Sequence, residues 1–202
     1  MSQVSENNSS ESICSNADGF CFTSASEGVQ EIIVSGPVTA IPAELVPDIS
    51  AEEAGQLFRI VYPYSPELSV FTELIPELHT GILTGISAGA ATAIAAHPEL
   101  SVHSFLTNML HRMNRAGNGV LAVIMGEGRT DIAATKGDRL LFLNTFHDRE
   151  RFGTLYHILK VWKHVSFHPA HDSIWIAGCT DPDGDMLRNL KLMTGEKTIC
   201  VL

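Results

Sequence analysis

VIMGEGRTDIAATKGDRLLFLNTF, residues 123–146, is the stretch whose reading decides the fold. Its start completes GVLAVIM (119–125), a nearly uninterrupted apolar run of strand length. GEGR is turn chemistry, since glycine adopts the positive φ that a tight turn demands. TDIAAT alternates, KGD makes a second turn, and RLLFLNTF reads as another strand. Three consecutive strands with short turns predict an antiparallel meander. Beyond it, DRERFGTLYHILKVWKHVSF places Phe152, Leu155, Tyr156, Leu159, Trp162 and Val165 at helical spacing. A long helix follows, its aromatic residues mainly in the core. DSIWIAG is then a buried strand, DGDMLRNLKLM a shorter helix and TICVL a final strand.

Working upstream, the signals weaken. Residues 1–10 are rich in Ser and Asn, a composition that predicts disorder. SICSNADGFCFTSA reads as two short strands about a turn at NADG; with Asn16–Gly19 as the loop, Cys14 and Cys21 lie opposite each other. QEIIVSG (30–36) is a β-branched strand ending at Gly36-Pro37. TAIPAELV leads into DISAEEAGQLFRIVY, where Ser50 and Glu53 form a capping box for a helix of about ten residues. ILTGIS (82–87) looks like a strand, and AGAATAIAAHP is a small-residue helix stopped by Pro98. In VHSFLTNMLHRMNRAGNG, Val102, Phe105, Leu106, Met109, Leu110 and Met113 form one stripe, capped by Ser101 and ended at Gly117.

Composition bounds the rest. With 202 residues and 45% hydrophobic content, the chain can bury one good core or two small ones. No apolar run is long enough to span a bilayer. The N-terminal MSQVSENNSSES has neither the basic start nor the apolar centre of a secretory signal, so a cytoplasmic location is expected. In that compartment Cys14, Cys21, Cys179 and Cys200 are expected to be thiols; they lack metal-site spacing and any CxxC. Residues 1–100 carry thirteen Asp or Glu against Arg59 alone, a net of −12, whereas residues 101–202 net +2. So acidic a half repels phosphate backbones, which argues against direct nucleic-acid binding. It suits a basic protein partner, or serves simply as a solubilising surface.

The second half thus runs β-β-β-α-β-α-β, the order of the ribonuclease H-like core: a mixed α/β sheet with helices packed on it. Duplicated, that core builds the actin-like ATPase fold. The first half fits a shortened copy, since only about nine residues separate Phe22 from Ile32, too few for a third strand and a crossover helix. The expected organisation is a disordered 1–10, a shortened first lobe over 11–100 and a second lobe over 101–202. At closer range TKGDRLLFLNTF, FGTLYHILKVW, HPAHDSIWIAG, SNADGFCF and AIPAEL resemble the DUF3822 family, uncharacterised proteins of the Bacteroidetes with an actin-like ATPase fold. The similarity covers about residues 11–202 and is strongest from 120 to 180. It implies a fold and brings no established activity.

In actin-like ATPases the first hairpin of each lobe wraps the phosphates, usually with an acid ahead of a glycine to hold magnesium through water. Here the second-lobe hairpin reads Met125-Gly126-Glu127-Gly128-Arg129-Thr130, with Glu127 the acid of the loop. Its backbone amides and Arg129 could meet a phosphate; an ordinary Gly-rich turn explains the same residues. Asp18-Gly19 in the first hairpin suits a turn for conformational reasons. A further loop places Gly178, Thr180 and Asp181 before a helix able to receive an anion, though Asp181, Asp183 and Asp185 would oppose that anion and suit capping better. Nuclease chemistry needs a carboxylate in the first strand, and GVLAVIM has none. His164, His168 and His171 are expected to diverge about Pro169 instead of gathering a metal.

Two roles follow. The first is a non-catalytic interaction or scaffold protein with no cofactor, no catalytic residues and no metal, its acidic half facing a basic partner. The alternative is a divergent ATP-binding protein, a weak ATPase or small-molecule kinase. It would hold Mg·ATP between the lobes through Gly126, Glu127, Gly128, Arg129, Thr130, Gly178, Thr180 and Asp181.

Overall fold

The computed structural model describes residues 20–24, 30–126, 128–147, 152–179, 184–195 and 198–201. Strands β1 (Phe20–Ser24) and β2 (Gln30–Val34) pair antiparallel, Phe20 opposite Val34. The NADG turn and Cys14 lie outside the described residues. Cys21 is disulfide-bonded, which corrects the expectation of four thiols, while Cys179 and Cys200 are thiols. That expectation rested on redox compartment, which says nothing of where the chain brings two sulfurs together.

After β2 the chain builds a separate unit. It comprises β3 (Val38–Pro42), α1 (Ala51–Val61), β4 (Ser69–Ile75) and β5 (Thr80–Ile86). Its sheet has the order β3-β5-β4, antiparallel throughout. Ser50 and Glu53 form the expected capping box of α1, and Ala54, Phe58 and Tyr62 pack on Ile41 and Leu83. Strands β3 and β4 were not legible: VTAIP is five residues ending in proline, and SVFTELI lacks a regular apolar alternation. Two glycines let this unit close. A Cβ on Gly36 would sit 1.6 Å from the Gly85 carbonyl oxygen, and one on Gly85 would sit 2.5 Å from the Phe58 ring.

The small-residue helix α2 (Ala88–Ala96), capped by Ser87, sets Ala90 against Ile32, Val34 and Ile86. The chain then returns. Strand β6 (Ser101–Ser104) pairs parallel with β2, and α3 (Phe105–Ala116) begins at once. Ser104, not Ser101, is the cap, its hydroxyl accepting the Thr107 N–H at 3.0 Å. Val102, His103 and Ser104, read as helix, are therefore strand, because the edge of β2 offers them a pairing that local periodicity cannot reveal. The helix ends as expected at Gly117, φ +72°. Glu73 of β4 accepts from the Ser104 N–H and the Thr107 hydroxyl, which places a carboxylate at the N-terminus of α3.

The meander forms as read: β7 (Gly119–Gly126), β8 (Arg129–Lys136) and β9 (Arg139–Phe146), paired antiparallel in turn. Helix α4 (Gly153–His164), β10 (Ser173–Ala177), α5 (Asp185–Thr194) and β11 (Ile199–Val201) follow. The five-stranded order is β11-β10-β7-β8-β9, with β10 parallel to both neighbours. Helix α4 buries Leu155, Ile158, Val161 and Trp162 against Leu121, Val123, Ile132 and Ala134. Phe152 and Tyr156, expected in the core, are exposed. Two overlapping stripes share Leu155 and Trp162, and the sheet takes the one that also holds Ile158 and Val161. On the opposite face α3 is a wedge: Leu106, Met109, Leu110 and Met113 touch Val120, Ala122 and Ala133 as well as Val38, Ile75 and Ile82 of the small sheet. Among the described residues no helix is long and apolar enough to cross a membrane.

Gly36→Ala must drive a methyl group into backbone rather than into a side chain that can swing away. Urea denaturation is expected to show a loss beyond about 3 kcal/mol, the upper end of ordinary overpacking. A loss below about 1 kcal/mol would mean that the close approach of Gly36 to Gly85 is not needed.

Candidate functional site

Because β10 runs parallel to β7, and β9 is antiparallel to β8, the carboxyl ends of β7, β9 and β10 lie at one end of the large sheet. Open α/β sheets bind ligands at such ends. The two loops singled out in the sequence do meet there. Ala177 pairs with Ile124, and a Cβ on Gly178 would lie 2.1 Å from the Met125 carbonyl oxygen, so only glycine (φ +76°) passes. Gly126 pairs with Arg129 across the hairpin and Gly128 has φ +66°. Thr130 is buried, its hydroxyl 3.1 Å from that of Thr154 in the first turn of α4. Glu127, Thr180 and Asp181 lie outside the described residues, as does Asp18.

Arg129 points inward. Its Nε donates to Asp131 Oδ2 at 3.2 Å and an Nη donates to the Ser35 hydroxyl, just past β2, at 2.6 Å. Asp131 is 3% exposed and its Oδ1 accepts from the Thr145 hydroxyl at 2.6 Å. The same Thr145 oxygen accepts the Val38 N–H at 3.0 Å, and the Tyr62 hydroxyl donates to the Val38 carbonyl. One chain of polar contacts thus runs from the phosphate-type hairpin across to β3 and α1. Beside it a cavity of about 10 Å³, the size of a single water, is lined by Ser35, Gly36, Thr84, Ser104 and Asp131 among others. Among the described residues, the buried Thr84 hydroxyl facing it has no hydrogen-bond partner.

Asp131 was missed in the sequence. Its signal was available: a carboxylate interrupting an apolar strand, two residues after an arginine and so on the same face of β8. Burial raises its pKa above the ordinary carboxylate value, outweighing the opposing pull of Arg129 and the Thr145 hydroxyl. Burial likewise raises the Tyr62 phenol. Of the histidines expected to diverge, His164 lies edge-on to Phe142, whereas the rings of His168 and His171 sit 5.8 Å apart, and His168 Nδ1 accepts the Ala170 N–H. Among the described residues no group of three or more His, Cys, Asp or Glu could hold a metal.

The raised pKa fixes a sign. A carboxyl that binds its proton more tightly in the folded state contributes most below its unfolded pKa, and that contribution is lost as pH rises through the folded value. The stability of the wild type relative to Asp131→Asn is therefore expected to fall from about pH 4 upward, starting near the unfolded Asp value, when both are unfolded by urea along a pH series. A difference that stays flat or grows with pH would refute the assignment.

Comparison with known proteins is consistent with this architecture. A structure from Bacteroides thetaiotaomicron, a protein with an actin-like ATPase fold and unknown function, superposes with a TM-score of 0.69 at 20% identity. The match covers 84% of this chain but 66% of the other, so this chain spans just under two thirds of that protein. A looser likeness, TM-score 0.43 and 12% identity, is to a PilM-PilN type IV pilus biogenesis complex, over 84% of this chain and 68% of that one. No curated protein matches the sequence. The family model described as "Protein of unknown function (DUF3822)" matches residues 27–192. With an actin-like fold and a match over most of its length, the chain belongs to the DUF3822 family.

Proposed function

We propose that this protein is a non-catalytic interaction protein that uses the actin-like fold as a scaffold. The observation that supports this most is the commitment of Arg129. The side chain best placed to meet a phosphate is instead bound to Asp131 and Ser35. Nucleotide binding at that junction would require the Arg129 contacts to open first.

The partner surface belongs to the acidic half. On α1, Leu57, Ile60 and Val61 are exposed at helical spacing, Ile60 by 77%. Exposed Glu44, Asp48, Glu52 and Glu53 precede them in the same segment, against Arg59 as its base. An apolar stripe accompanied by carboxylates suits the apolar face of a basic amphipathic helix.

Two measurements test this reading. Mg·ATP at millimolar concentration is expected to leave the melting temperature unchanged. A saturable rise, worth roughly 2.7 kcal/mol at a hundredfold excess over Kd, would overturn the scaffold role in favour of Mg·ATP binding. Ile60→Ser is expected to keep stability within about 0.5 kcal/mol while weakening capture of a Leu/Lys amphipathic peptide roughly tenfold by fluorescence anisotropy. Equal capture by both proteins would count against the α1 face.

A further inference from the structure

A second site lies on the other side of the meander and is independent of the interaction reading. Strand β9 is the edge of the large sheet, and its alternate residues Phe142, Asn144 and Phe146 turn to the face that α4 covers. From α4, His157, Lys160, Val161 and His164 present one stripe toward them. Between the two sets is a cavity of about 330 Å³, within the range of small-molecule sites.

Its lining has a definite chemistry. The Phe142 and Phe146 rings lie nearly parallel, 7° apart with centroids 6.3 Å from each other. His157 stacks on Phe146 at 4.0 Å and His164 meets Phe142 edge-on at 6.5 Å. Ring faces and the buried Val161 therefore provide a flat, apolar floor. The polar residues of the lining are His157, His164, Asn144 and Lys160, and the Lys160 ammonium lies 5.5 Å from the Tyr156 ring centroid, at the solvent side of the helix. Among the described residues, no carboxylate lines it.

That combination selects a ligand. A cation would meet Lys160 with like charge, and a neutral hydrocarbon would desolvate the ammonium without compensation. A planar apolar body carrying one negative charge satisfies both parts. We propose that the β9–α4 pocket binds a small aromatic carboxylate, its ring stacked on Phe142 and Phe146 and its carboxylate directed to Lys160 and the two imidazoles. The order of residues on α4 suits this, since Val161 sits at the floor while Lys160, one position before it, stands at the solvent edge.

The probes are benzoate, 2-naphthoate and indole-3-acetate, each titrated into the full-length protein while the ring signals of His157 and His164 are followed by NMR. The expected result is a saturable shift of both histidines by at least one of the acids, and none with benzylamine. Lys160→Glu, an exposed substitution whose ligand-free spectrum reports an intact fold, should weaken that binding at least about tenfold. The proposal is overturned if no acid saturates the signals up to its solubility limit. It is also overturned if benzylamine acts like the acids, or if Lys160→Glu binds them unchanged. None of these outcomes bears on the α1 face or on Mg·ATP, so this site and the scaffold role stand or fall separately.

Discussion

One hydroxyl group ties the β3-β5-β4 sheet to the five-stranded sheet. Thr145 Oγ1 donates to Asp131 and accepts from the Val38 N–H, so a single side chain on β9 satisfies a buried carboxylate of its own sheet and an edge amide of the other. Neither of those groups can be left unpaired away from water without a cost of about 1–3 kcal/mol. Arg129 and Tyr62 extend the same network to Ser35 and to the far side of Val38. The junction is therefore specified by polar geometry, which fixes one arrangement, whereas the apolar contacts around it would tolerate several.

Those apolar contacts come mainly from α3. Its buried stripe is shared between the small sheet and the large one, and Glu73 fixes its N-terminus to β4. A helix that belongs to two sheets at once transmits any displacement of either, because a close-packed core has little room to absorb it. The tight passage of Gly178 past Met125 has the same effect at the carboxyl end of β7. Together they bind the ends of β7 and β10 closely to the core, with Arg129 engaged internally.

The parts of this fold legible in the sequence were those with strong local signals. GVLAVIM had to be a central strand because every residue is apolar, and the glycines between the meander strands marked both turns. The capping box of Ser50 and Glu53 and the terminating Gly117 were similarly local. What could not be read was pairing at a distance. Val102, His103 and Ser104 looked helical because their partner, β2, lies some seventy residues upstream, while β3 ends in proline and β4 lacks a regular apolar alternation. Gly126 and Gly178 fall at the ends of neighbouring strands, yet the inward turn of Arg129 depends on Ser35, which no spacing argument connects to it. On α4 the periodicity was right and its phase was not: Phe152 and Tyr156 are exposed because Ile158 and Val161 fit the sheet better.

The return of the chain from β2 to β6 also bears on how the protein is made. On a ribosome the first hundred residues emerge before the strands that complete their surroundings. β2 waits for β6, Val38 waits for Thr145, and Ser35 waits for Arg129. The meander, by contrast, closes on itself within some thirty residues and needs no distant partner to begin. The N-terminal half thus completes its pairings only once the C-terminal sheet has formed, and until then it is a chain of net charge −12 whose like-charged copies repel one another.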